Sequence, residues 1–414
     1  GAKVEHPCAP AGARHVVIVG GGIAGITAAE SVRDACPDAA IALVSKESIL
    51  PYYRLNLTRY LAGEVSADQL PVHPESWYAE RGIRLLLGEE AAAIEPEAHA
   101  VRLASGASEP YDKLILACGA HPFVPPIEGA TLDGVSALRT RDDADRILDA
   151  IRPAAPWVVI GGGILGLETA GALAQRGVRV TVIENYDWLL PRQLDKPAAK
   201  RLQAFVTAKG IAVHYRGKTD AIEGGGRVHA VRLADGARLP ADGVVIATGI
   251  RPNSHLARKA GLEINQGVVV DAHLATSHPD IFAVGDVAEH RGIVYGLWEP
   301  ARYQGSIAGL NAAGIPTEFG GLPRANTLKV LGIDLFSIGT IAPTDGSFTV
   351  IREEMDTGYY AFLFRDNTLA GAMLVGDTRL SAALAKAVKT RHDCSALLSA
   401  NPRATDVMAF FGEA

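Results

Sequence analysis

Two glycine triplets carry the clearest chemistry in this chain. Gly20, Gly22 and Gly25 lie within VVIVGGGIAGITAAE, and Gly161, Gly163 and Gly166 lie within VVIGGGILGLETA. Each triplet follows a short apolar run, at residues 15–19 and 157–160, and precedes an alanine-rich stretch with helical spacing. A strand, a turn without side chains and a helix N-terminus together present backbone N–H groups and the positive end of a helix dipole. That arrangement holds the pyrophosphate of a dinucleotide. An acidic residue about 20 positions further on completes such a site by accepting ribose hydroxyls. Glu47 and Glu184 are the candidates, with Ser45 standing at the strand end ahead of Glu47. A carboxylate at 184 repels a 2′-phosphate, and Asn185, Tyr186 and Asp187 offer no cation to receive one, so the second site is expected to take NADH rather than NADPH.

A chain of 414 residues needs two or three domains to position these groups. The net charge of −6 gives no reason to expect nucleic acid or an anionic membrane as partner. No apolar run reaches the roughly 20 residues of a membrane helix, and no basic-then-apolar leader opens the chain, so a soluble cytoplasmic protein is expected. Residues 1–14 lack periodicity and read as a loose tail. The four cysteines, Cys8, Cys36, Cys118 and Cys394, form no CxxC or CxxxxC pair, and no metal site is expected. Beyond Gly320 the runs LKVLGIDLFSIGT, SFTVIREE, GYYAFLFR and LAGAMLVG read as strands, followed by a helix over residues 379–392. This pattern predicts an antiparallel sheet with helices packed on it.

Three further motifs sit in fixed order with the triplets: ACGAHP at 117–122, ATGIRPN at 247–253 and TSHPDIFAVGD at 276–286. Together, over about residues 14–310, they resemble the two-dinucleotide-binding-domain flavoproteins, the FAD-dependent pyridine nucleotide oxidoreductases. The resemblance implies an α/β fold with two Rossmann-like domains of glutathione-reductase type and a C-terminal α+β interface domain. It divides the chain into a discontinuous FAD-binding domain (14–118 and 245–318), an inserted NAD-binding domain (119–244) and the interface domain (320–414). The implied cofactors are FAD and NADH. FAD would be held by Gly20, Gly22, Gly25, Glu47, Arg54, Cys118, Gly119, Gly285 and Asp286, the last on the ribityl chain. NADH would be held by Gly161, Gly163, Gly166, Glu184 and Gly249.

Within that family, LPYYRLNLTRYLAGE (50–64) and LKVLGIDLFSIG (328–339) look most like NADH:rubredoxin reductases and the flavin-binding portion of nitrite reductase large subunits. The missing cysteine pairs, and the absence of any cysteine in residues 49–63, set the chain apart from the thiol-dependent members. In several relatives a lysine pairs with a glutamate near the flavin. Glu168 matches the glutamate, whereas Arg59 stands where the lysine is expected, a departure that alters the pair's geometry. Trp298 and Glu299 in GLWEPARYQG fall where relatives place residues beside the flavin and nicotinamide. Lys386, Lys389 and Arg391 offer a face for an acidic protein. The resemblance thus implies electron transfer from NADH through FAD to a small iron protein such as rubredoxin or ferredoxin, by a monomer or homodimer. Two alternatives stay open: direct action on a small pathway-specific substrate, and an NADH-responsive flavin sensor or assembly subunit.

Overall fold

The computed structural model describes residues 14–322 and 325–412. Residues 1–13, with Cys8 and most of the tail expected to be loose, lie outside the described residues. The chain divides into two compact units. The first gathers residues up to 60, 65–123 and 249–321, and the second gathers 61–64, 124–248 and the chain from 322 onward.

Each unit is built on a five-stranded parallel sheet, and the four strands centred on the glycine strand follow the same order in both, while the fifth comes last in the chain in one sheet and first in the other. In the first, His15–Val19 lies between Ala40–Ser45 and Lys113–Leu116, with Ile83–Leu87 and Ile281–Ala283 at the edges. In the second, Pro156–Ile160 lies between Arg179–Ile183 and Gly243–Ile246, with Ala212–His214 and Val135–Ser136 at the edges. An antiparallel three-stranded meander follows the third strand in both, at Ala91–Glu95, Ala100–Leu103 and Ser108–Pro110, and again at Thr219–Gly224, Val228–Leu233 and Arg238–Pro240. The glycine strands read as unbroken apolar runs because both faces are covered. Val16, Val17 and Ile18 are buried, as are Val158 and Val159, and each such side chain contributes roughly 1.5–3 kcal/mol through removal from water.

The helices that follow the glycines are packed differently. Ile23–Ala35 lies against Trp298–Ala312 along a seam of small residues. A Cβ at Gly305 would strike the Ala24 backbone, and one at Gly309 would strike Ala28 and Ser31. Ile164–Gln175 instead receives the tip of a hairpin from the C-terminal sheet, at Leu331.

That C-terminal sheet is antiparallel, in the order Ala325–Val330, Ile333–Gly339, Thr368–Val375, Gly358–Arg365, Thr349–Met355. LKVLGIDLFSIGT, expected as one strand, is therefore two. Leu331 at φ 53° and Gly332 at φ 84° turn the chain between them, as a two-residue hairpin requires. The expected helix over 379–392 runs only from Ser381 to Thr390 and ends where Arg391 turns to φ 50°. Two further helices, Ser395–Ser399 and Ala404–Gly412, were not expected; Val407 and Phe411 close a core with Phe336, Phe362 and Leu374. Asp195 joins this sheet to the rest of its unit by capping Lys196–Ala208 at the Ala198 N–H (3.0 Å) while accepting the Tyr359 hydroxyl (2.8 Å). Among the described residues no helix is long and apolar enough to cross a membrane.

Candidate dinucleotide cradles

In both units the three glycines have the same three tasks. Gly20 (φ 124°) and Gly161 (φ 113°) adopt backbone angles that other residues avoid. A Cβ on either would collide with the carbonyl of the next strand's end, Ala117 or Ala247. Gly25 and Gly166 bring the helix onto its own turn, and a Cβ there would meet the carbonyl of Gly20 or Gly161. Gly22 and Gly163 are the N-caps, with open space where a side chain would be, no side-chain cap and no acidic residue in the first turn. The first-turn N–H groups and the helix dipole are thus directed at an unobstructed position, which fits a phosphate in each unit.

The sugar ends differ. Val19 pairs with Val44 and Ile160 with Ile183, so Ser45 and Glu184 occupy corresponding places one residue on. Glu184 accepts the Gly162 N–H at 3.0 Å and the Tyr186 N–H at 3.1 Å, which pins its carboxylate beside the glycine turn. Ser45 lies under Gly21 in the first unit. Glu47, two residues further, accepts the Tyr52 hydroxyl (2.6 Å) and the Arg54 guanidinium (3.0 Å), and Arg54 also donates to Tyr52 at 3.1 Å. Glu47 and Arg54 therefore form one half-buried cluster instead of two independent contacts. Near Glu184 the fold supplies a cation that residues 185–187 lack: Arg216, brought back from the third strand, pairs with Asp187 on the exposed surface.

The GD motif lies against the first cradle. Gly285 (φ 74°) is so close to the first helical turn that an added Cβ would press on Ala24. Its N–H donates to Gln304 Oε1 at 2.8 Å. Gln304 is 1% exposed, and its Nε2 has no hydrogen-bond partner. Buried donors are nearly always satisfied, so an enclosed amide beside a phosphate cradle fits a site completed by a bound dinucleotide. Asp286 follows, half-buried. Trp298 repeats the pattern, with Nε1 enclosed and unpaired, its ring 6.4 Å from Tyr53 and the Arg302 guanidinium 5.9 Å away. Glu299 is exposed and bonded to Arg302 at 3.0 Å. Sequence reasoning missed Gln304. Its signal was a lone amide on the small-residue face of YQGSIAGL.

Gly119 (φ 68°) and Gly249 (φ 105°) begin two short paired strands, Ala120–Pro122 and Ile250–Pro252. Asn253 ties them by donating from Nδ2 to the Cys118 carbonyl at 2.9 Å. Burial pushes the Cys118 thiol up to about 12, so it stays protonated at neutral pH. Glu168 accepts the Leu331 N–H at 2.9 Å. Burial raises its carboxyl above the ordinary range, the Leu331 N–H works against that rise and the Glu64 charge adds to it. Arg59 is exposed on the helix Leu57–Ala62 and belongs to the first unit, whereas Glu168 belongs to the second.

Residues 14–305 match the pyridine nucleotide-disulphide oxidoreductase family, and residues 325–392 match the rubredoxin NAD+ reductase C-terminal domain. The chain belongs to that oxidoreductase family, whose members use FAD and NADH. It is 35% identical over 387 residues to the nitrite reductase [NAD(P)H] of Bacillus subtilis, covering 93% of this chain and 48% of that protein. It is 31% identical over 373 residues to the NADH-rubredoxin oxidoreductase of Clostridium acetobutylicum, covering 90% and 94%. The structure of a covalent putidaredoxin reductase–putidaredoxin complex is similar, with a TM-score of 0.81, 27% identity and coverage of 91% and 93%. The chain spans about half the length of its nitrite and nitrate reductase relatives.

Proposed function

We propose that this protein is an NADH-dependent FAD reductase that passes electrons to a small iron protein such as rubredoxin or ferredoxin. The carrying observation is the pair of cradles, each with an uncapped helix N-terminus behind the same three glycines. A bound FAD would supply what no side chain here offers: it would accept a hydride from reduced nicotinamide, pass its two electrons on singly and give the proton to solvent. The first cradle, with Gln304 and Asp286 beside it, holds FAD, and the second, with Glu184 at its sugar end, holds NADH. On this reading residues 14–118 and 245–318 are the FAD-binding domain, 119–244 the NAD-binding domain and 320–414 the interface domain. Arg59, Trp298 and Glu299 of the first unit and Glu168 of the second are the residues assigned to the reaction. Cys118 contributes no thiol chemistry, because burial pushes its thiol up to about 12 and leaves it a poor nucleophile at neutral pH. A cytoplasmic location belongs to the same reading.

Anaerobic titration of the yellow protein with NADH tests it directly. Bleaching of the flavin within seconds, followed by reoxidation with rubredoxin or ferredoxin, is expected. A flavin that stays oxidised in NADH for minutes rules the reading out. The half-length match to nitrite reductases supports a second reading of the same chemistry, in which the acceptor is an iron centre of a larger assembly. Turnover with such a partner and none with free rubredoxin would select it.

A further inference from the structure

The first unit holds a crevice of about 340 Å³ lined by His121, Arg251, Asn253, His255, Arg258 and Gln266. Its walls are the paired strands Ala120–Pro122 and Ile250–Pro252, the short helix His255–Lys259 and the turn at Gln266. No lining residue is acidic, and neither Arg251 nor Arg258 has a carboxylate partner among the described residues. The carboxylate behind the Gln266 turn, Glu289, is buried and occupied by the N–H groups of Gln266 (2.8 Å) and Gly267 (3.3 Å).

Two of the lining side chains are held from behind. The Arg251 guanidinium carbon lies 4.3 Å from the centroid of Phe123, and stacking fixes the plane of the fork while leaving its edge donors available. His121 Nδ1 is 2.6 Å from Asn253 Oδ1. Because Asn253 Nδ2 donates to Cys118, the amide orientation is set, so Nδ1 carries the hydrogen and the ring is fixed in place. Side chains ordered in advance by stacking and by an amide lose little freedom on binding.

We propose that this crevice binds a small phosphorylated anion, using residues that neither cradle employs. Two guanidinium groups match a phosphate dianion in charge and in fork geometry. The volume exceeds that of bare phosphate and suits a phosphate carrying a body of mononucleotide size. An acidic protein surface would fill a concave site of this size poorly, so a small ligand is favoured over docking of the electron acceptor. The site stands or falls independently of the electron-transfer reading.

Calorimetric titration of the purified, flavin-loaded protein with inorganic pyrophosphate and with AMP, at low salt and with adenosine as neutral control, tests it. Both anions are expected to bind and adenosine not to. The double variant Arg251→Ala/Arg258→Ala should weaken both by at least about tenfold, with flavin content and NADH bleaching unchanged. Absence of heat with both anions overturns the proposal, as does equal affinity in the double variant. AMP binding that disappears in Gly163→Asp but persists in the double variant belongs to the second cradle and also overturns it. So does a double variant whose only change is a raised KM for an acidic iron protein.

Discussion

The two cradles are alike where they are made of backbone and unlike where they are made of side chains. Gly20, Gly22 and Gly25 do what Gly161, Gly163 and Gly166 do, down to which carbonyl excludes a Cβ. At the sugar end Ser45 stands where Glu184 stands, and the nearby acid of the first unit, Glu47, is shared with Arg54 and Tyr52. A phosphate asks only for N–H groups and a dipole, so that part has one solution and is repeated. Distinguishing one dinucleotide from another needs side chains, and there the copies have diverged.

The harshest way to break this comparison is to fill one cradle at a time. Gly22 and Gly163 have ordinary negative φ and open space around them, so a side chain at either is compatible with folding. Gly22→Asp places a carboxylate where a phosphate must lie, and FAD affinity should fall by on the order of a hundredfold or more. Gly163→Asp should leave the protein yellow and raise the NADH concentration needed for bleaching by a similar factor. Flavin content and NADH titration of the two variants read this out. If both lose flavin equally, the cradles do not have separate ligands.

The sugar ends come next in size. Glu184→Arg replaces an acceptor by a donor and also releases the Gly162 N–H. We expect kcat/KM for NADH to fall roughly tenfold to a hundredfold and NADPH to become the better substrate. Asp187→Ala sharpens the point. It frees Arg216 from its ion pair and should improve NADPH use several-fold while Glu184 stays in place. Equal use of both nucleotides by the unaltered protein would contradict the role given to Glu184.

What could be read from sequence follows the same division. Gly20 and Gly161, with the apolar runs before them, give away two parallel sheets because strand, turn and helix are local. The two Rossmann-like domains were also legible through the family resemblance. Arg216 was not, since it reaches Asp187 from 29 positions away in the chain, and neither was the Gln304 bond to Gly285, which needs the helix Trp298–Ala312 already in place. The hairpin at Leu331 was missed for a different reason: a leucine at φ 53° goes against local preference, and only tertiary packing holds it there. The last two helices carry too short a pattern to be distinguished from loop until their apolar residues meet the core.

Gln304 tests the first cradle from within. In Gln304→Met the side chain remains long enough to fill its place, but the acceptor for the Gly285 N–H and the unpartnered Nε2 donor are both gone. Losing a donor to a bound dinucleotide is worth about 1–2 kcal/mol, so FAD should dissociate roughly tenfold more readily. Fluorescence titration of apoprotein with FAD measures this. Unchanged affinity with lowered apoprotein stability would make Gln304 a strut for Gly285 alone.

The smallest effect comes from what covers each cradle helix. In the first unit the cover is a helix, fitted through Gly305 and Gly309 against Ala24, Ala28 and Ser31. In the second it is the hairpin tip, where Leu331 sits so close to Gly171 that a Cβ there would collide with it, and where Glu168 accepts the Leu331 N–H. Burial raises the Glu168 carboxyl above its ordinary value. The folded protein therefore holds this proton more tightly than the unfolded chain. The stability that results is present below the ordinary glutamate range and is lost as pH rises through the raised value. Glu168→Gln keeps an oxygen for Leu331 and never ionises. Its melting temperature relative to the unaltered protein should therefore climb as pH rises from 4 to 7, by about a few degrees at most because the group is partly solvated. Glu168→Ala lacks the acceptor and should fall below the unaltered protein at every pH. A Gln variant that tracks the unaltered protein in parallel across the range would mean that the carboxyl titrates as if exposed, and that the hairpin does not bury it.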